Sequence, residues 1–126
     1  MRQTKFLFVL ITLLLGACSN DKSFVLKGES KNWKGIYQGY IHDETNETSE
    51  LILIYKGNPA KVKGNIKYEY ETNNSGKGDG NISLTQKSIK TNIVCGGCAT
   101  TDENEVIKIT INWNNKTETF KLQSKK

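Results

Sequence analysis

The sequence predicts an all-β domain, either an antiparallel β-sandwich or a small β-barrel of about seven strands. Three observations predict it. Apolar residues recur at every second position over most of the chain, Gly, Asn and Asp bound the runs, and no helical period appears beyond the N-terminal segment.

Taken in order, residues 33–41 place Trp33, Tyr37 and Ile41 on one side, with Gly35 and Gly39 between them. Ile36 and Tyr40 fall on the opposite side. If nothing covers that side, it becomes an exposed apolar-aromatic patch, the usual mark of a partner. Residues 51–55, LILIY, are apolar on both faces and suit a central strand. Residues 62–70 alternate, with Val62, Ile66, Tyr68 and Tyr70 against Lys63, Asn65, Lys67 and Glu69. Residues 82–84 are a short run, and 89–95 align Ile89, Thr91, Ile93 and Cys95.

The last two runs form the strongest hairpin signal. Ile107, Ile109, Ile111 and Trp113 alternate with Lys108, Thr110 and Asn112, and Phe120 and Leu122 follow a two-residue turn, Asn114-Asn115. Asn tolerates the positive φ of a type I′ turn. The register then pairs Ile109 with Phe120 and Ile107 with Leu122 on one face, which a one-residue slip would break. It also sets Lys108 against Lys121, a mildly unfavourable pair on the solvent side. At strand spacing, Trp33, Tyr37, Tyr40, Tyr55, Tyr68, Tyr70 and Trp113 read as core rather than as a ligand box, with Tyr40 the exception if its side of the strand has no cover.

The N-terminus has a different character. Arg2 and Lys5 precede FLFVLITLLL, residues 6–15, and the small residues Gly16 and Ala17 follow. A basic start, a short apolar run and a small-residue exit make a secretory signal; the run falls short of the ~20 apolar residues that cross a bilayer. Leu15-Gly16-Ala17-Cys18 resembles the lipobox of bacterial lipoproteins. The resemblance implies a diacylglyceryl group on the Cys18 thiol and cleavage between Ala17 and Cys18. Cys18 is then the acylated N-terminus of a chain held on the extracytoplasmic face of the cell membrane. Two acyl chains anchor stably where one does not. Ser19 is not the Asp that marks inner-membrane retention, and the Lys, Asn and Ile bias resembles AT-rich Gram-positive genomes.

The expected organisation is therefore a signal peptide over 1–17, a lipidated N-terminus and polar tether over 18–31, a β domain over 32–123 and a tail over 124–126. This length supports one domain with a modest core.

The chain carries 18 Lys and Arg against 13 Asp and Glu, a net charge of +5. Removal of Arg2 and Lys5 lowers that balance by two, and the remaining charges are interspersed. With no basic block and no arginine-aromatic stripe, the composition points away from nucleic acid.

Assigning Cys18 to lipid leaves Cys95 and Cys98, an even pair in an exported chain, for which a disulfide is the expected state. Cys95-Gly96-Gly97-Cys98 is also a redox spacing, but no amphipathic helix follows to lower a thiol pKa. Zinc needs three or four ligands, and His42 is the sole His. His42, Asp43, Glu44, Glu47 and Glu50 read as an acidic hairpin loop without the spacing of a calcium loop. Residues 73–81, NNSGKGDGN, lack the phosphate-loop pattern and read as a mobile loop. No convergent set of titratable groups emerges, so no catalytic residue, metal or cofactor is assigned.

Beyond the lipobox, Trp33, Gly35 and Tyr37, the CxxC and the closing pattern from Trp113 to Leu122 resemble small uncharacterised lipoproteins of Gram-positive bacteria. That resemblance carries no activity. The leading expectation is a non-catalytic domain that binds a protein or envelope component, tied to membrane lipid through acylated Cys18. The alternatives are a lipocalin-like barrel holding an apolar ligand between Trp33, Tyr37 and Tyr68, and a thiol-disulfide protein using Cys95 and Cys98. Replacing both of these cysteines by Ser is expected to lower the melting temperature only modestly under oxidising conditions, since so short a loop removes little chain entropy.

Overall fold

A computed structural model describes residues 22–43, 46–72, 76–96 and 104–124. Eight strands are present: β1 (Lys22–Glu29), β2 (Trp33–Asp43), β3 (Asn46–Tyr55), β4 (Asn65–Glu71), β5 (Lys77–Ser83), β6 (Ser88–Gly96), β7 (Ile107–Trp113) and β8 (Lys116–Leu122). They form two four-stranded sheets, a front sheet ordered β1-β2-β3-β6 and a back sheet ordered β5-β4-β7-β8. Every pairing is antiparallel. The sheets stack as a sandwich and do not close into a barrel, which decides between the two architectures the alternation allows.

The inner faces supply one core. Leu26, Trp33, Tyr37, Leu51, Leu53 and Ile89 come from the front sheet, and Ile66, Tyr68, Ile107, Ile109, Ile111, Trp113, Phe120 and Leu122 from the back. Burying one such aliphatic side chain contributes about 1.5–3 kcal/mol. At one end Trp33, Tyr55 and Trp113 pack together, with ring centroids 5.1 Å apart for Trp33–Tyr55 and 5.7 Å for the T-shaped Trp33–Trp113 pair. The β7–β8 hairpin has the anticipated register, including Ile109 opposite Phe120 and Lys108 opposite Lys121. Asn114 and Asn115 take φ of 47° and 61°, the left-handed pair a type I′ turn requires.

Two strands lie where the sequence reads as tether and loop. Lys22–Glu29 is β1, fully paired with β2, so the β domain begins at Lys22 rather than at 32. Lys77–Ser83 is β5, paired along β4, where the glycine-rich stretch reads as a mobile loop. Both have glycines at inward positions, and the space is filled from a neighbouring strand: at Gly28 of β1 by the Lys121 carbonyl and Leu122 of β8, and in β5 by aromatic rings of β4. A Cβ at Gly80 would overlap the Tyr68 ring, and one at Gly78 the Tyr70 ring. In β2, Gly39 is covered in the same way by the ring of Phe24 from β1.

The sheets meet at the β1–β8 corner. Lys27 and Gln123 exchange two backbone hydrogen bonds, each 3.0 Å. Gly28 makes this approach feasible, because a Cβ there would overlap the Lys121 carbonyl. Its cross-strand partner Gly35 leaves room for the side chains of Leu122 and Phe120. Gly28→Ala is expected to force β8 away from β1 and lower stability by about 1–3 kcal/mol, read from the midpoint of urea unfolding. A variant as stable as the parent would show that the corner is not close-packed.

Candidate interaction surface

Each sheet has an outer face, and the two differ. On the back sheet, cross-strand rows can be read from the register: Asn81, Lys67, Asn112 and Thr117; Asp79, Glu69, Thr110 and Thr119; Lys77, Glu71, Lys108 and Lys121. Every one of these side chains is polar. Two open grooves lie on this side, of about 440 Å³ beside Glu69, Glu71 and Lys108, and about 610 Å³ beside Lys63, Lys67 and Lys116.

The outer face of the front sheet is of another kind. One row runs Lys27, Ile36, Ile52 and Lys90. The next runs Glu29, Lys34, Ile54 and Ser88, and on the other side lie Val25, Gln38, Glu50 and Asn92. Tyr40 follows, between Ser23 and Thr48. Val25 and Tyr40 are 41% and 47% exposed, large values for side chains of this size. Ile36, Ile52 and Ile54 are half-buried by their own neighbours in the sheet. Among the described residues, no element packs over this face. The Ile36–Tyr40 patch expected from the strand parity is thus present, and Ile52, Ile54 and Val25 enlarge it. Sequence reasoning places 51–55 on a central strand, which β3 is, yet no described element covers its outer side.

The remaining site residues are dispersed. His42 lies near the end of β2, 3.0 Å from the Thr48 hydroxyl through Nε2. The acidic loop is shorter than expected: Asp43 ends β2 and accepts a 2.6 Å hydrogen bond from Asn46, while Glu47 and Glu50 belong to β3. Glu47 is not solvated but buried on the inner face, as is Glu105 ahead of β7. Glu50 stands on the outer face between Gln38 and Asn92. Cys95 belongs to β6, across the ladder from Glu47. Ala17, Cys18, Glu44 and Cys98 lie outside the described residues. Among the described residues, no three His, Cys, Asp or Glu side chains converge. No described helix is long and apolar enough to cross a membrane.

Trp33, Tyr37 and Tyr68, which would line the mouth of a ligand barrel, instead fill the sandwich interior. The Tyr37 hydroxyl donates to Ser49 at 2.8 Å, and the Tyr68 hydroxyl meets Thr91 at 2.6 Å, tying the back sheet to β6. Tyr70 is held above its usual pKa by burial, with the charges of Tyr68 and Asp79 adding to it.

Sequence reasoning missed Glu118, which sits on β8 and braces the β1–β2 turn. Its carboxylate accepts from the Ser30 hydroxyl and from both the backbone and the side chain of Asn32. Lys56 holds the same turn from the other side, donating to the Ser30 carbonyl and pairing with Glu29, both at 2.8 Å. Nothing in the local sequence links positions 30 and 118, so no pattern could have revealed the brace.

No family model, curated protein or solved structure matches the chain.

Partial burial works to raise the Glu118 pKa, but the hydrogen bonds from Ser30 and Asn32 and the charge of Lys116 outweigh it. The carboxyl is therefore held below its ordinary 4.5. The stabilisation is fully present above that ordinary value and is lost as pH falls through the lower folded value. Glu118→Ala is expected to cost about 1 kcal/mol near neutral pH, below the usual ~1.5–3 kcal/mol for hydrogen bonds to a charge because water screens the partly buried carboxylate. The difference from the parent should shrink when melts are repeated below the folded-state pKa. A difference that does not change with pH would reject the brace.

Proposed function

We propose that the chain is an extracytoplasmic lipoprotein, cleaved after Ala17 and acylated on Cys18, whose β-sandwich works by surface contact rather than by catalysis. The observation that carries this reading is the outer face of the front sheet, which no described element covers and where Val25, Ile36, Tyr40, Ile52 and Ile54 form one apolar tract. Scattered surface apolar residues are ordinary, whereas a contiguous tract rimmed by polar groups marks an interaction site. The anchor reading is supported by the sequence from Arg2 to Cys18, whose order of charge, apolar run and small residues suits export and lipidation. Cys95 and Cys98 are read as a disulfide, as an exported pair.

Two measurements test this. Growth with an alkyne fatty acid, followed by mass spectrometry of the N-terminal peptide, should find the label on Cys18 and none in the Cys18→Ser chain. A free Cys18 thiol in the mature protein would remove the anchor. On intact cells, a photoreactive amino acid replacing Tyr40 should form adducts that the same residue replacing Thr110 on the back sheet does not. Equal yields at the two positions would remove the contact surface.

A further inference from the structure

We propose that the partner of the front sheet's outer face is the anionic bilayer itself, so that the sheet lies on the lipid surface and the back sheet faces away from it. This rests on the acyl anchor at Cys18 and names what the exposed tract meets. Three observations support it together.

The first is sidedness. Apolar side chains are exposed as a tract on one outer face, while the rows of the other outer face are polar throughout. The molecule is amphipathic across its thickness.

The second is charge. The central row is Lys27, Ile36, Ile52, Lys90, two aliphatic side chains with an ammonium group at each flank, and Lys34 lies in the next row. Lys27 and Lys90 are exposed. Long basic side chains beside an apolar surface reach up to headgroup phosphates while their stems and neighbours sit lower. The face also holds Glu29 and Glu50; Glu29 is neutralised by Lys56 at 2.8 Å. A second copy fits less well. Two-fold stacking is self-complementary, and this row turned on itself sets lysines against lysines, with Glu50 the nearest carboxylate in the adjoining row. A plane of phosphates accepts all three lysines.

The third is the tether. With β1 starting at Lys22, four residue steps separate it from Cys18. Such a segment spans at most roughly 14 Å at about 3.5 Å per residue. The chain leaves β1 at Lys22, in register with Ile41 and next to Tyr40 of the same sheet. The anchor therefore keeps the Lys22 end of the front sheet within that distance of the membrane. A short tether also raises the effective concentration of headgroups, so a face too weak to bind lipid alone is held in contact.

The test uses the full acylated protein in vesicles of phosphatidylglycerol and phosphatidylcholine. A diazirine amino acid replaces Ile52 in one preparation and Thr110 in another, and lipid adducts are read by mass spectrometry. The expected result is roughly tenfold more lipid adduct at 52 than at 110. Lys27→Glu with Lys90→Glu should lower it several-fold, as should vesicles of phosphatidylcholine alone. These exposed positions are away from the core, and unchanged melting confirms the fold. Equal labelling at 52 and 110, or adducts at 52 with a second copy, overturns the docking. So does an adduct with another protein as the main product on intact cells. The intact mass of the same sample separates the two readings. An acylated chain with equal labelling rejects only the docking, whereas an unmodified Cys18 rejects the anchor and the docking with it.

Discussion

The close approach of β1 and β8 is the constraint on which the rest of the structure depends. It requires a residue without a side chain at Gly28, because the Lys121 carbonyl occupies the place of a Cβ. Once that space exists, Lys27 and Gln123 can pair and join the edges of two otherwise separate sheets. Gly35 beside it lets Leu122 and Phe120 drop into the core instead of holding the layers apart. Glu118 and Lys56 then secure the adjoining turn from opposite sides. A two-layer fold of this size has little core to spare, so one well-satisfied corner determines how completely the layers meet.

What the sequence discloses follows from which residues occupy inward positions. In the β7–β8 hairpin all of them are Ile, Trp, Phe or Leu apart from Lys116 and Glu118, and the register is legible in the order of the amino acids alone. In β1 and β5 the inward positions include Gly28, Gly78 and Gly80, so the alternation fades and the segments read as tether and loop. The apolar groups that fill those positions come from Leu122, Tyr68 and Tyr70, through space rather than along the chain. Strand length and alternation are common to sandwich and barrel; the difference lies in edge pairing, which is a long-range property. Parity alone is enough to put Ile36 and Tyr40 outside. Ile52 and Ile54 join them only through the β2–β3 register, since a run apolar on both faces is normally covered on both.

The edges narrow how this domain can engage a partner. An exposed edge strand offers unpaired backbone groups, and proteins blunt such edges with charged side chains, proline or bulges. β5 is an edge strand of that kind: Lys77, Asp79, Asn81 and Ser83 point outward and Gly78 and Gly80 alternate with them. On the front sheet, β1 meets β8 at the corner, and β6 carries Lys90 and Asn92 on its outer side. Strand addition is therefore disfavoured at β5 by composition and at the corner of β1 by occupancy. Among the described residues, Ile82 on β5 is a single exposed apolar side chain, and the broad outer face of the front sheet is the larger apolar feature.

That face is costly to leave in water. Isoleucine is suited to the pleated interior of a sheet, yet Ile36, Ile52 and Ile54 stand on the side that no described element covers. Nothing in β2 or β3 requires them there, because the same strands are already secured by Trp33, Tyr37, Leu51 and Leu53 on the inner side. The back sheet shows the alternative: its outer rows are Asn, Thr, Lys, Asp and Glu, and it forms a four-stranded antiparallel sheet all the same. One outer face has polar rows throughout, whereas the other sets Val25, Ile36, Tyr40, Ile52 and Ile54 among polar and basic side chains, so the two sides of the fold differ in their affinity for water. The physical effect of that difference is orientation, since turning the molecule over would expose the aliphatic tract to water and press a charged sheet against whatever the tract prefers.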